Sequence, residues 1–199
     1  MRQPLDAVPD DAELVARLRR AIAGHPGGPE PPANRPNAAV LFLADPAGPG
    51  VPALFMLRSD RVRFHRGQIA LPGGGQEPHD LDATATALRE AHEELGVPPD
   101  AVEVLGSLPP METATSDRWL TPVVGLQRRP FDVVADLFEV AEWFRLPLAE
   151  LWAAPHEVRR FGQGTAGRDV HFYTAGDRVV WGVTGAIVHE LLARLRRLG

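Results

Sequence analysis

The chain contains no cysteine and no lysine. The first absence excludes disulfide bridges and thiolate zinc centres, and it leaves the redox compartment without a cysteine signal. The second makes all 21 basic side chains arginines. That bias reads as coding composition, but it also leaves only fixed, fork-shaped cations to meet phosphate oxygens. No apolar run is long enough to span a bilayer, and the first residues, with Asp6, Asp10, Asp11 and Glu13, lack the continuous apolar core of a signal peptide. A formal net charge of −5 gives no basic footprint for nucleic acid. No internal repeat is apparent. These absences describe a soluble, cytoplasmic protein that binds neither nucleic acid nor membrane. At 199 residues and 44% hydrophobic content the chain can bury one good-sized core, so one domain with trimmings is expected.

What the chain does have is acid concentrated in one place, Leu88-Arg89-Glu90-Ala91-His92-Glu93-Glu94-Leu95-Gly96-Val97. On a helix Glu90, Glu93 and Glu94 share one arc, with Ala87, Leu88, Ala91 and Leu95 forming an adjoining apolar stripe. Like charges at this spacing cost a few tenths of a kcal/mol per pair in water, and more when partly buried, unless a cation sits among them. A hard ion such as Mg²⁺ suits such oxygens and leaves room for water and substrate phosphates. Glutamates on a helix are more often a plain solvated face. The glycine run Gly73-Gly74-Gly75 just upstream shifts the balance, because glycines let a backbone approach an anion closely.

The rest of the chain frames this helix. Asp10 to Ala23 reads as an amphipathic helix capped by Asp10 or Asp11, with Leu14, Val15, Leu18 and Ile22 on one side. The Pro/Gly-rich connector Gly24 to Pro32 follows, so residues 1–36 read as an N-terminal appendage and 37–199 as the main body. The appended helix could pack on that body or on a second subunit of a homodimer. Ala38–Ala44 and Ala53–Leu57 read as strands, as do Ala101–Leu105, Leu120–Leu126, Val158–Phe161 and Val170–Thr174. Residues Arg58 to Gly74 concentrate arginines, His65 and glycines beside the glutamate helix, a composition suited to phosphates. Gly162-Gln163-Gly164-Thr165-Ala166-Gly167 is a literal G-x-G-x-x-G, but a strand follows it where a dinucleotide fingerprint needs a helix, which favours a hairpin tip. An amphipathic helix closes the chain, with Val183, Ile187, Leu191, Leu192 and Leu195 facing inward. Strands mixed with these helices give the α/β or α+β class.

The stretch Gly75-x5-Leu81-x7-Arg89-Glu90-Ala91-His92-Glu93-Glu94-Leu95-Gly96-Val97 resembles the signature of the Nudix hydrolases. Leu81 stands where most of that superfamily has its first glutamate, flanked by Asp80 and Asp82. Arg58-Ser59 with Arg63-x-His65-x-Gly67-Gln68-x-Ala70-x-Pro72-Gly73-Gly74, and then Asp80-Leu81-Asp82, is similar to the coenzyme A pyrophosphatase branch, in which the leucine is habitual. The resemblance implies a Nudix-type α/β/α sandwich with a central mixed β-sheet, dependence on Mg²⁺ or Mn²⁺, and cleavage of a small-molecule diphosphate, coenzyme A or acyl-coenzyme A. It implies Glu90, Glu94, Glu93 and the Gly74 carbonyl as metal ligands, and Glu93 as a further ligand or the base. It places Glu94 and Arg89 in the catalytic set, with Arg89 orienting a carboxylate, and puts Arg58, Arg63, Gly67 and Gly73 at the substrate. His65 reads as structural and Glu112 as a spare carboxylate, while Glu139 and Glu142 are candidates for a carboxylate that reaches the site from outside the signature to bind metal or act as base. Two rivals stand beside it: another Nudix activity, on ADP-ribose, NADH, dinucleotides or nucleoside triphosphates, and a Nudix-fold ligand sensor without turnover.

Overall fold

A computed structural model describes residues 7–23, 31, 37–61, 66–113, 118–162 and 167–198. The N-terminal helix α1 (Asp11–Ala23) starts where the Asp10 carboxylate accepts the Glu13 N–H at 2.8 Å. The connector predicted from Gly24 to Pro32 lies outside the described residues except for Pro31.

Two sheets follow. The larger has eight strands: β1 (Asn37–Ala44), β2 (Pro52–Arg58), β3 (Ile69–Ala70), β4 (Gly73–Gly75), β5 (Val102–Ser107), β6 (Met111–Glu112), β7 (Trp119–Gln127) and β8 (Val140–Pro147). Its central order is β3-β2-β1-β7-β5, with β4 also paired to β1, β6 to β7 and β8 to β2. The β1–β7 pair is parallel and the others are antiparallel, so the sheet is mixed. The smaller sheet is the antiparallel set β9 (His156–Phe161), β10 (Arg168–Ala175) and β11 (Arg178–Val180).

The unbroken apolar run of β1 has its reason in burial on both faces. Val40, Phe42 and Ala44 point into one core, shared with α1, α3 (Leu148–Ala153) and α4 (Gly182–Arg196). Ala39, Leu41 and Leu43 point into another, beneath α2 (Ala83–Leu95), whose Ala87, Ala91 and Leu95 fill it. Helices on both faces of a mixed sheet make the expected sandwich. Leu14, Leu18 and Ile22 place α1 on the body of the chain, each burial contributing about 1.5–3 kcal/mol. Strands β9 and β10, on either side of the G-x-G-x-x-G stretch, pair antiparallel, and Gln163 to Ala166 of the expected hairpin tip lie outside the described residues.

Candidate active site

The helix α2 is held at both ends by its own sequence. Asp82 caps it, accepting the Ala85 N–H at 2.8 Å, and Gly96 (φ 66°) closes it in the left-handed conformation, its N–H bonded to His92 O. A residue with a Cβ would be strained at Gly96 and would press on Val134. The apolar stripe lies on β1, so the neighbouring arc, with Glu90 and Glu94, turns toward the short glycine strand β4.

Backbone crowding excludes a side chain at Gly73, and any side chain at Gly74 would displace the Glu90 carboxylate. A Cβ on Gly73 would overlap the Ala39 carbonyl and the Val40 backbone, and one on Gly74 would sit 2.5 Å from both Glu90 carboxylate oxygens. The backbone therefore reaches the acids directly, and the Gly73 N–H donates to Glu94 Oε2 at 2.8 Å. Glu94 is only 3% exposed. Burial pushes its carboxyl up to about 8, with the Gly73 N–H and Arg58 opposing and the charges of Glu90 and Glu139 adding to the rise. Burial raises Glu90 as well, against the opposing pull of Arg89. Arg58 brings a cation to Glu94, with Nη1 3.5 Å from Oε1. The buried Glu94 and part-buried Glu90 carboxylates, the first near Arg58 and the second bonded to Arg89, form an oxygen donor set suited to a divalent oxygen-seeking ion.

Arg89 is fully engaged with its neighbours. It donates from Nε to Asp80 Oδ1 (3.1 Å), and from Nη2 to Asp80 Oδ2 (3.0 Å), Glu90 Oε1 (2.9 Å) and the Gly75 carbonyl (2.9 Å). Nη1 donates to Glu93 Oε2 at 2.9 Å. The guanidinium thus ties α2 to β4 and aims two of the glutamates. Asp80, which sequence reasoning noted only as a neighbour of Leu81, is the buried anchor of this clamp. Its carboxylate also accepts from Thr86 Oγ1 and the Glu77 N–H, and Arg89 above all holds its pKa well below the ordinary carboxylate range. Leu81 is 94% exposed and takes no part. Glu93 is the most exposed of the three glutamates of α2.

Of the other candidates, Arg58 ends β2, lines the cavity described below, and lies 3.9 Å from Glu139 through Nη2. Glu139 therefore stands near the acids. Glu142, three residues on, is turned away and bound to Arg178 at 2.6 Å. Glu112 is exposed on β6. Gly67 (φ 64°) takes a left-handed turn, its N–H bonded to the Arg58 carbonyl. Arg63 and His65 lie outside the described residues.

A cavity of about 530 Å³ opens on the other side of β4. One wall is apolar, from Ile69, Leu71, Leu120, Val183 and Ile187, while Arg58, Gln68 and Arg118 give it a polar end beside Gly73–Gly75. Sequence reasoning missed Arg118, which comes to the glycine strand from β7's leading edge with no local pattern to announce it. A Cβ on Gly75 would collide with its guanidinium.

A family model described as NUDIX domain matches residues 33–164. The chain is 39% identical over 165 residues to a protein of Citrobacter koseri named uncharacterized Nudix hydrolase NudL, covering 81% of this chain and 84% of that one. The like-named protein of Escherichia coli K12 is 38% identical over the same shares. Among solved structures, the MutT protein of Methanosarcina mazei superposes with a TM-score of 0.52 at 17% identity, over 83% of this chain and 96% of that one.

Proposed function

The chain belongs to the Nudix hydrolase family, whose members act on nucleoside diphosphate derivatives with divalent metal ions, and on that premise we propose that it cleaves the diphosphate of coenzyme A or acyl-coenzyme A. The products are adenosine 3′,5′-bisphosphate and (acyl-)phosphopantetheine, and the ion is Mg²⁺ or Mn²⁺. Residues 37–199 form the hydrolase domain in this reading, and residues 1–36 its N-terminal helix and connector.

The observation that carries it is the pairing of Glu90 and the buried Glu94 with β4, and of β4 with a cavity that has arginines at one end and an apolar wall along the rest. A diphosphate needs the first part, and a long, weakly polar arm such as pantetheine suits the second. Glu90, Glu94 and the Gly74 carbonyl would hold the ion, with Glu93 as a further ligand or as the base. The ion supplies charge neutralisation at the phosphate oxygens and acidifies water. In the reaction a water oxygen bonds to one phosphorus, the P–O bond to the bridging oxygen breaks, and that oxygen leaves with the other phosphate. The proton of the water passes to Glu93 or to solvent. Arg89 keeps Glu90 and Glu93 in position, Arg58 and Arg63 bind phosphate oxygens, and Gly67 and Gly73 let the backbone come close.

A panel of coenzyme A, acyl-coenzyme A, ADP-ribose, NADH and nucleoside triphosphates, each with Mg²⁺ and with Mn²⁺, tests the substrate. Coenzyme A and its acyl forms are expected to be cleaved fastest. Turnover of another diphosphate with coenzyme A inert overturns the assignment.

A further inference from the structure

The smaller sheet gathers a set of donors that the hydrolytic reading does not use. His171 and Tyr173, two residues apart on β10, share one face, and His156 on β9 is the direct cross-strand partner of Tyr173. The helix α4 packs on β10 at Gly185, where a Cβ would collide with the His171 carbonyl, so only glycine permits this approach. One helical turn later the same face delivers His189. The His171 and His189 rings stack at 3.8 Å between centroids, and His156 lies 5.2 Å from each. One nitrogen from each imidazole falls within 4.8 Å of the others, and His156 Nε2 is 3.0 Å from His171 Nδ1.

We propose that His156, His171 and His189 form a second metal site, for a borderline transition-metal ion such as Zn²⁺, between the smaller sheet and α4. Imidazole nitrogen suits zinc, copper and nickel, whereas the carboxylates of α2 suit magnesium and manganese, so the two sites select different ions. Three histidines with a fourth position left to water is a known zinc donor set. Tyr173 Oη is hydrogen-bonded to His189 Nδ1 at 3.0 Å, which orients that ring and leaves Nε2 for the ion, the role an outer partner plays in metal centres. The formal charges nearby are mixed: Arg196 faces His156 and His189, Glu190 faces His189, and Asp169 faces His171. The imidazoles themselves therefore supply the binding. An ion here would staple β9, β10 and α4 together.

The test uses the untagged full-length chain carrying Glu90→Gln and Glu94→Gln, which disables the oxygen site and makes the outcome independent of the hydrolytic reading. Zn²⁺ titrated by calorimetry is expected to bind one ion per chain, and Co²⁺ to give the absorption of a nitrogen-coordinated tetrahedral centre. Adding His171→Asn or His189→Asn should weaken Zn²⁺ by at least about a hundredfold, and Tyr173→Phe by about tenfold. X-ray absorption on the zinc-loaded chain, which needs no histidine variant to fold, should show an imidazole shell. Zn²⁺ affinity unchanged by the histidine substitutions, no binding at all, or a shell of oxygens alone overturns the proposal.

Discussion

On α2 the donors Glu90, Glu93 and Glu94 come from little more than one helical turn, while beneath α4 the donors His156, His171 and His189 come from three elements. The first group is oriented by a charged clamp, with Arg89 held by buried Asp80 and in turn holding Glu90 and Glu93. The second is oriented by ring stacking and one tyrosine hydroxyl. The contrast teaches that a site can be fixed either by one cation that organises its acids or by packing that brings neutral rings together. The first kind is brittle toward loss of the cation, because the buried acid that holds it keeps its hydrogen bonds from Thr86 and Glu77 but loses its counter-charge.

Arg89→Met breaks that clamp most severely. It strands Asp80 in the interior, and a loss of about 3–5 kcal/mol is expected in the denaturant midpoint analysis. Glu94→Gln should leave the melting temperature unchanged or higher, since it puts a neutral amide of the same shape in place of a carboxyl whose charged form burial disfavours, yet lower kcat by on the order of 10²- to 10³-fold, matching the several kcal/mol that metal-assisted charge stabilisation provides. Next comes acid sensitivity. Asp80 has its pKa depressed in the folded chain, so its contribution is fully present above the unfolded value of about 3.9 and is lost as pH falls from there toward the depressed value. Unfolding followed from pH 5 to pH 2 should therefore steepen below about 4 in the wild type and be flatter in Asp80→Asn. Glu139→Gln should lower kcat/KM by up to about fivefold through its exposed pair with Arg58, and Glu142→Gln should leave it unchanged. The smallest effect is expected for Leu81→Glu, within about 0.5 kcal/mol in stability and with unaltered turnover, because the side chain stands in solvent.

Much of the candidate site's framework was legible because its signals are local. The 3.6-residue spacing of Ala87, Ala91 and Leu95 marks α2, Gly96 marks its end, and the glutamates follow from the same helical period. The strands β1, β2 and β7 carry apolar runs long enough to read. By contrast β4 is all glycine and has no side-chain pattern, and β3 and β6 are two residues long. In the sequence Asp80 is only a flank of Leu81, and its burial becomes apparent only once Arg89 is folded over it. Arg118 and the three histidines are joined by tertiary structure alone, across separations that no window along the chain spans. Gly185 carried a hint, a glycine inside an apolar helix, which signals close backbone approach without saying to what.

The hydrolytic reading turns on whether the α2 acids hold a divalent ion, and Mn²⁺ binding followed by electron paramagnetic resonance measures that without any substrate. The wild type is expected to bind Mn²⁺ saturably and the Glu90→Gln, Glu94→Gln chain to lose that binding while keeping its fold by circular dichroism. Equal Mn²⁺ affinity in the two folded chains would contradict it.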